Sequence, residues 1–189
     1  MIYLETTTSR IYKRREMLPC KANFISKIEY GVVRSLTWNE DGQVICSGLW
    51  ADGDVIGNEL SNLHPYEMEC LTDVQLTEIS KSNWGEYVTE IIRHTKNTEF
   101  LLKISHYRSK DEALRQLLGW LTNRFGEDDR HGRVIGLQLT HQELAELIGS
   151  TRVTVTRIIN NLEELGFLSR KGRKLRFLAE NIDQWHYEI

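Results

Sequence analysis

Thr151, Arg152, Val153, Thr154, Thr156 and Arg157 bring two guanidinium forks, three hydroxyls and a branched methyl pair into seven residues, with no carboxylate among them. Those groups match the edges of duplex DNA. Arginine bridges O6 and N7 of guanine, a Val or Thr methyl lies against the thymine methyl, and hydroxyls near a helix N-terminus meet phosphate oxygens. A second basic set, Arg170, Lys171 and Arg173, with Lys174 and Arg176, follows in GFLSRKGRKLRFL. Point charges of this kind suit the phosphate backbone.

Two short helices joined by a tight turn must hold the first set. Leu144, Ala145 and Ile148 share one helical face, Gly149 interrupts the pattern, and Val155, Ile158, Ile159 and Leu162 resume it at helical spacing. Thr140 and Glu143 have the spacing of a capping box for the first helix, and Ser150 or Thr151 caps the second. Gly149 supplies the positive φ that ends a helix, and Ala145 is small where the second helix crosses. The bland reading is a helical hairpin with a solvated polar face, but cap, small residue, glycine and basic face all agree on a helix-turn-helix. The second basic set sits in two alternating runs around Lys171-Gly172, which predicts a β-hairpin wing.

The 189-residue chain has a net charge of −3, so it is no general nucleic-acid coat. Between residues 130 and 178, however, nine Lys/Arg face four Glu, a local charge of +5. The basic footprint is thus confined to the C-terminal part. Cys20, Cys46 and Cys70 fit neither a disulfide framework nor a zinc pattern. The six histidines, at 64, 94, 106, 131, 141 and 186, form no HxxxH pair, and surface or capping roles are assigned to them. No GxSxG motif or Gly-rich phosphate loop is present, so no cofactor is assigned and an enzyme ranks last. The chain lacks a signal peptide and a long apolar run, which predicts a soluble cytoplasmic protein without membrane contact.

Toward the N-terminus, FISKIEY, GVVRSLTW, QVICSGLW and VQLTEIS alternate or cluster β-branched and aromatic residues between the turns at 39–42 and 52–54. A small antiparallel β-roll is expected over residues 1–82. A linking helix follows over 83–108, its stripe of Val88, Ile91, Ile92, Leu101, Leu102 and Ile104 demanding burial on the roll or on a second copy of itself. Thr95 and Thr98 interrupt that seam, yet a homodimer is favoured because one reading head binds too weakly alone. A further helix at 109–126 closes the core of the last domain, 109–189, and a polar connection over 127–136 leads to a strand at 134–139. The predicted class is α+β.

GDVIGNEL in the roll and STRVTVTRIINNLEELGFL in the reader give the chain a resemblance to the CRP/FNR family of bacterial transcription regulators over about residues 10 to 178. The segment GSTRVTVTR is especially similar to the nitrogen-control regulators of cyanobacteria, the NtcA-like proteins. The resemblance implies a roll of the cupin-like, cyclic-nucleotide-binding type, a dimerisation helix and a winged helix-turn-helix. It places Arg152, Val153 and Arg157 at base-reading positions and Thr151 and Thr154 at phosphate-facing ones. Val153 stands where the cyclic-AMP-responsive members have Glu, so a different half-site is implied, closer to the GTA type.

By the same resemblance Gly57, Asn58, Glu59 and His64 lie at the effector pocket. Gly57 and Glu59 remain from the Gly-Glu-Leu motif beside the cyclic-nucleotide ribose, with Asn58 between them. His64 and Pro65 replace the arginine and serine that grip the cyclic phosphate, and an arginine that holds 2-oxoglutarate also falls near His64. A neutral imidazole replaces a bidentate guanidinium poorly. The family's N-terminal helix has no counterpart in the sequence. Effector binding is therefore expected to be altered or lost, with 2-oxoglutarate, a cyclic nucleotide or no effector left open. The leading expectation is a homodimeric DNA-binding regulator that works with RNA polymerase. The alternative is an interaction protein whose β-roll binds another regulator while DNA contact is constitutive.

Overall fold

A computed structural model describes residues 9–178. His186 lies outside the described residues. The chain is α+β and divides into two compact units, residues 1–100 and 101–189. In the first unit the strands are β1 (Ser9–Tyr12), β2 (Phe24–Tyr30), β3 (Val33–Trp38), β4 (Val44–Trp50), β5 (Val55–Ile56), β6 (Glu67–Cys70) and β7 (Val74–Ser80). They form two antiparallel sheets, ordered β1-β7-β2-β5 and β4-β3-β6. This is the predicted β-roll.

Alternation explains how the roll closes. Val74 and Leu76 of β7 are buried while Gln75 between them is exposed. With Ile28, Val33, Trp50, Ile56, Met68 and Cys70 they form the inner core. Each large side chain removed from water there contributes about 1.5–3 kcal/mol. A second cluster, Ile25, Val55 and Ile79, packs with Trp84, Tyr87 and Ile91. Gly48 is required by its neighbour: a Cβ there would sit 2.1 Å from the Trp50 ring.

The linking segment begins as a 3-10 turn over Lys81–Tyr87, and the α-helix proper, α1, runs from Val88 to Ser105. Ser82, Asn83 and Gly85 are poor helix formers, which accounts for the later start. Within the first unit α1 is fastened to the roll by four contacts of two side chains, Arg93 and His94. Arg93 Nε lies 3.3 Å from Asp54 Oδ1, and Arg93 donates to the Gly53 carbonyl at 2.6 Å. His94 stacks flat on Trp50 at 3.9 Å between ring centroids, its Nδ1 2.9 Å from the Val55 carbonyl. Burial lowers the basicity of that imidazole.

The second unit holds α2 (Lys110–Phe125), β8 (Gly126–Asp129), β9 (Gly132–Ile135), α3 (His141–Ile148), α4 (Arg152–Glu164), β10 (Leu168–Lys171) and β11 (Lys174–Leu178). Its sheet runs β10-β11-β9-β8. The segment expected to be a polar connection is instead the hairpin β8–β9, and its second strand ends at Ile135. Glu127, Asp128 and Asp129 disguise β8, a charged edge strand. The core of this unit gathers Leu114, Leu117, Leu118 and Leu121 of α2, Leu144 and Ile148 of α3, and Val155, Ile158, Ile159 and Leu162 of α4, all buried. Among the described residues no helix is long and apolar enough to cross a membrane.

Candidate nucleic-acid interface

The turn between α3 and α4 is held as its sequence predicts. Thr140 Oγ1 accepts from the Glu143 amide at 3.1 Å, and Glu143 returns a carboxylate oxygen to the Thr140 amide at 2.7 Å. Gly149 takes φ 61°, a left-handed conformation in which a side chain is strained. Thr151, rather than Ser150, caps α4 by accepting from the Thr154 amide at 3.2 Å. Ala145 is fully buried. A lysine that the sequence did not single out completes the turn: Lys110 Nζ donates to the Ser105 carbonyl at 3.0 Å and the Ile148 carbonyl at 2.9 Å. One ammonium thereby caps the C-termini of both α1 and α3, where it meets their negative dipole ends.

With Val155, Ile158, Ile159 and Leu162 buried, the opposite face of α4 turns outward. Thr151, Arg152, Val153 and Arg157 are exposed on it, Val153 at 78 %. Thr154 and Thr156 are half-buried at its edge. Neither the Arg152 nor the Arg157 guanidinium has a hydrogen bond or ion pair among the described residues. An exposed β-branched residue between two unengaged guanidiniums has no role in packing, and this face presents donors and a methyl pair to solvent.

The wing differs from a bare cationic strip. Arg170 lies across Glu163 of α4 in a two-point contact, 2.7 Å and 3.1 Å. Lys171 donates to Asp129 of β8, and Arg176 donates to the same carboxylate oxygen at 3.1 Å. The Lys171 ammonium first, with Arg176 beside it, holds the Asp129 carboxyl well below the usual carboxylate range. Glu163 likewise raises the basicity of Arg170. Arg173, at the tip beside Gly172, is exposed with no ion pair among the described residues. Of the five wing cations singled out in the sequence, Arg170, Lys171 and Arg176 are therefore matched internally.

In the roll, Gly57 and Asn58 line a cavity of about 20 Å3 together with Arg10, Lys21, Ser26 and Glu78. Lys21 and Arg10 both lie against Glu78, so the cations are already paired. The Asn58 side-chain oxygen is buried and has no hydrogen-bond partner. Glu59 and His64 are exposed and do not line the cavity. Gly57 packs against β2, where an added Cβ would lie 3.2 Å from the Ile25 Cα.

A family model described as the Crp-like helix-turn-helix domain matches residues 112–181. The regulatory protein CysR of Synechococcus elongatus is 45% identical over 165 residues, 86% of this chain and 80% of that one. The chain belongs to the CRP/FNR family of transcriptional regulators. Its likeness to NtcA-type proteins is also plain: the global nitrogen regulator of Nostoc is 38% identical over 78 residues, 41% of this chain and 35% of that protein.

Two solved structures share the fold. A CRP-family transcriptional regulator from Thermus thermophilus superposes with a TM-score of 0.78 at 18% identity, covering 93% of this chain and 95% of that one. A cyclic nucleotide-binding domain containing protein from Listeria monocytogenes gives a TM-score of 0.78 at 16% identity, covering 90% and 89%. Membership of the CRP/FNR family implies regulation of transcription through DNA binding. Sequence reasoning expected Thr151, Arg152, Val153 and Arg157 on the outward face of α4, where they lie, but missed the contacts of Lys110, of the carboxylates Glu163 and Asp129, and of His141. The two carboxylates meet their cations only through tertiary pairing, and His141 carries no local motif.

Proposed function

We propose that this CRP/FNR member is a homodimeric, sequence-specific DNA-binding regulator in which α4 enters the major groove and the β10–β11 wing follows the phosphates. The observation that carries this reading is the outward row Thr151, Arg152, Val153 and Arg157 on a helix whose opposite face is fully buried. Arg152 and Arg157 read base edges, Thr151 and Thr154 face phosphate, Thr156 braces the helix, and Arg173 offers the wing tip a cation with no ion pair among the described residues. Arg170 and Lys171 reach phosphate by exchanging their carboxylate partners for it. The half-sites of a pseudo-palindrome would lie about 34 Å apart, centre to centre.

The dimer reading draws on α1. Val88, Ile92 and Leu102 are exposed at 51 %, 50 % and 58 %, and with Thr95 and Glu99 they form one stripe at alternating spacings of four and three. That is the seam spacing of paired helices. RNA polymerase is the partner through which bound protein would act on transcription. In the roll, a cavity with room for about one water supports an effector site that is altered or lost. Selection of bound sites from random duplex by the purified protein, alone and with cyclic AMP or 2-oxoglutarate, tests the whole reading. Enrichment of a two-fold-symmetric site, unchanged by either compound, is the expected result; absence of any enriched sequence overturns it.

A second reading, in which the roll binds another regulator, has its own observation. Ile11 and Tyr30 are 70 % and 61 % exposed, and both pair in register with Gln75 on β7. Replacing both with Ser would abolish such binding and leave DNA affinity intact.

A further inference from the structure

His141 opens α3 and reaches across to the reader helix. Its Nδ1 lies 2.7 Å from Thr156 Oγ1. The Thr156 hydroxyl has one hydrogen, and it is given to the Arg152 carbonyl at 2.8 Å. With its hydrogen on that carbonyl the oxygen accepts from His141, an arrangement in which Nδ1 carries the ring hydrogen. In the neutral ring Nε2 is then a bare lone pair, and it has no hydrogen-bond partner among the described residues. The groups facing the ring are Arg152 and Glu163 of α4 and Arg170 of β10.

A phosphate oxygen only accepts hydrogen bonds. The neutral ring, fixed in this tautomer by Thr156, would turn a lone pair toward it and repel it. The imidazolium donates from Nε2 while keeping its bond to Thr156. We propose that His141 is a contact to the DNA backbone that takes up a proton as the duplex binds, so that operator affinity falls as pH rises. The proposal rests on α4 being the reader.

The electrostatics agree with it. Burial first, then the charges of Arg170 and Arg152, hold the free ring below the ordinary basicity of histidine. The negative field of the duplex offsets the charges of those two arginines and adds an anion at Nε2, which raises it. Sign follows from linkage: the bound form holds the extra proton, so affinity is greatest below the free-state pKa and declines as pH climbs toward the bound-state one. The steepest decline is about tenfold per pH unit for each protomer engaged.

The experiment uses the full chain and two duplexes, one enriched from random DNA and one of scrambled sequence, at fixed ionic strength between about pH 5.5 and 8.5, the span in which a histidine titrates. Affinity is read by fluorescence anisotropy, and proton uptake by calorimetry in buffers of differing ionisation enthalpy. The expected result is weaker binding at higher pH for both duplexes, with close to one proton taken up per protomer. His141→Gln, whose amide donates at every pH, should flatten the profile and abolish the uptake while circular dichroism stays unchanged. A wild-type affinity independent of pH, or equal proton uptake in His141→Gln, overturns the role of His141 and leaves the DNA reading standing. Failure of both duplexes to bind at every pH overturns the DNA reading and the role of His141 together.

Discussion

Single side chains on the outward face of α4 and on the wing divide by what they touch. The Arg152 and Arg157 guanidiniums make no hydrogen bond or ion pair among the described residues, so losing either breaks no direct contact of the fold. Arg152→Ala or Arg157→Ala should cost about 1 to 3 kcal/mol on the preferred duplex and relax base preference. Anisotropy on matched and scrambled duplexes checks this, and equal losses on both would mean that bases are not being read. Asp129 gives the opposite expectation. It occupies Lys171 and Arg176 in the free protein, so Asp129→Asn should raise affinity for any duplex. The salt dependence of log K should steepen by roughly one unit per protomer, the mark of a cation newly available to phosphate. The two arginines were legible from the chain because helical spacing places them opposite Val155 and Ile159. The competition at Asp129 was not, because 42 residues separate it from Lys171.

Elements with strong local signals could be read, and those defined by pairing could not. Thr140, Glu143 and Gly149 mark the ends of α3 and the turn within ten residues, and the structure follows them. β1, β5, β6 and β8 escaped notice because each has four residues or fewer, and β6 (EMEC) and β8 (GEDD) carry charge where a strand pattern expects apolar residues. A pairing partner made them strands, such as β3 for β6 in the register Val33↔Cys70. Lys110 belongs to this scale, since it ties the last turns of α1 and α3 to the start of α2. Lys110→Met keeps the stem and removes the ammonium from two helix ends. It should destabilise the C-terminal unit by about 2 kcal/mol, read as a lower unfolding midpoint in urea. An unchanged midpoint would show that water serves those carbonyls equally well.

At the scale of the molecule, α1 presents two faces with different tasks. His94, Asn97, Leu101 and Ile104 are buried, while Val88, Ile92, Thr95, Glu99 and Leu102 look away from them. In a parallel pair of α1 helices related by two-fold symmetry, each Glu99 would face its own copy. Like charges at such a position oppose association. Glu99→Leu should therefore tighten the dimer roughly tenfold, and Ile92→Asp should yield monomers with weakened operator affinity. Sedimentation at graded concentrations separates these outcomes, and a wild-type chain that stays monomeric at all of them would remove α1 as the joining surface.

The flat stack of Trp50 on His94 has a spectroscopic consequence. An indole in van der Waals contact with an imidazole loses emission when that imidazole becomes charged, and its spectrum shifts when water replaces the ring. Trp50 is thus a dye built into the chain, positioned to glow differently whenever the first turns of α1 lift from the roll. Titration of duplex or small molecule into the unlabelled protein, with Trp50→Phe as the blank, would give the motion of that helix directly from light.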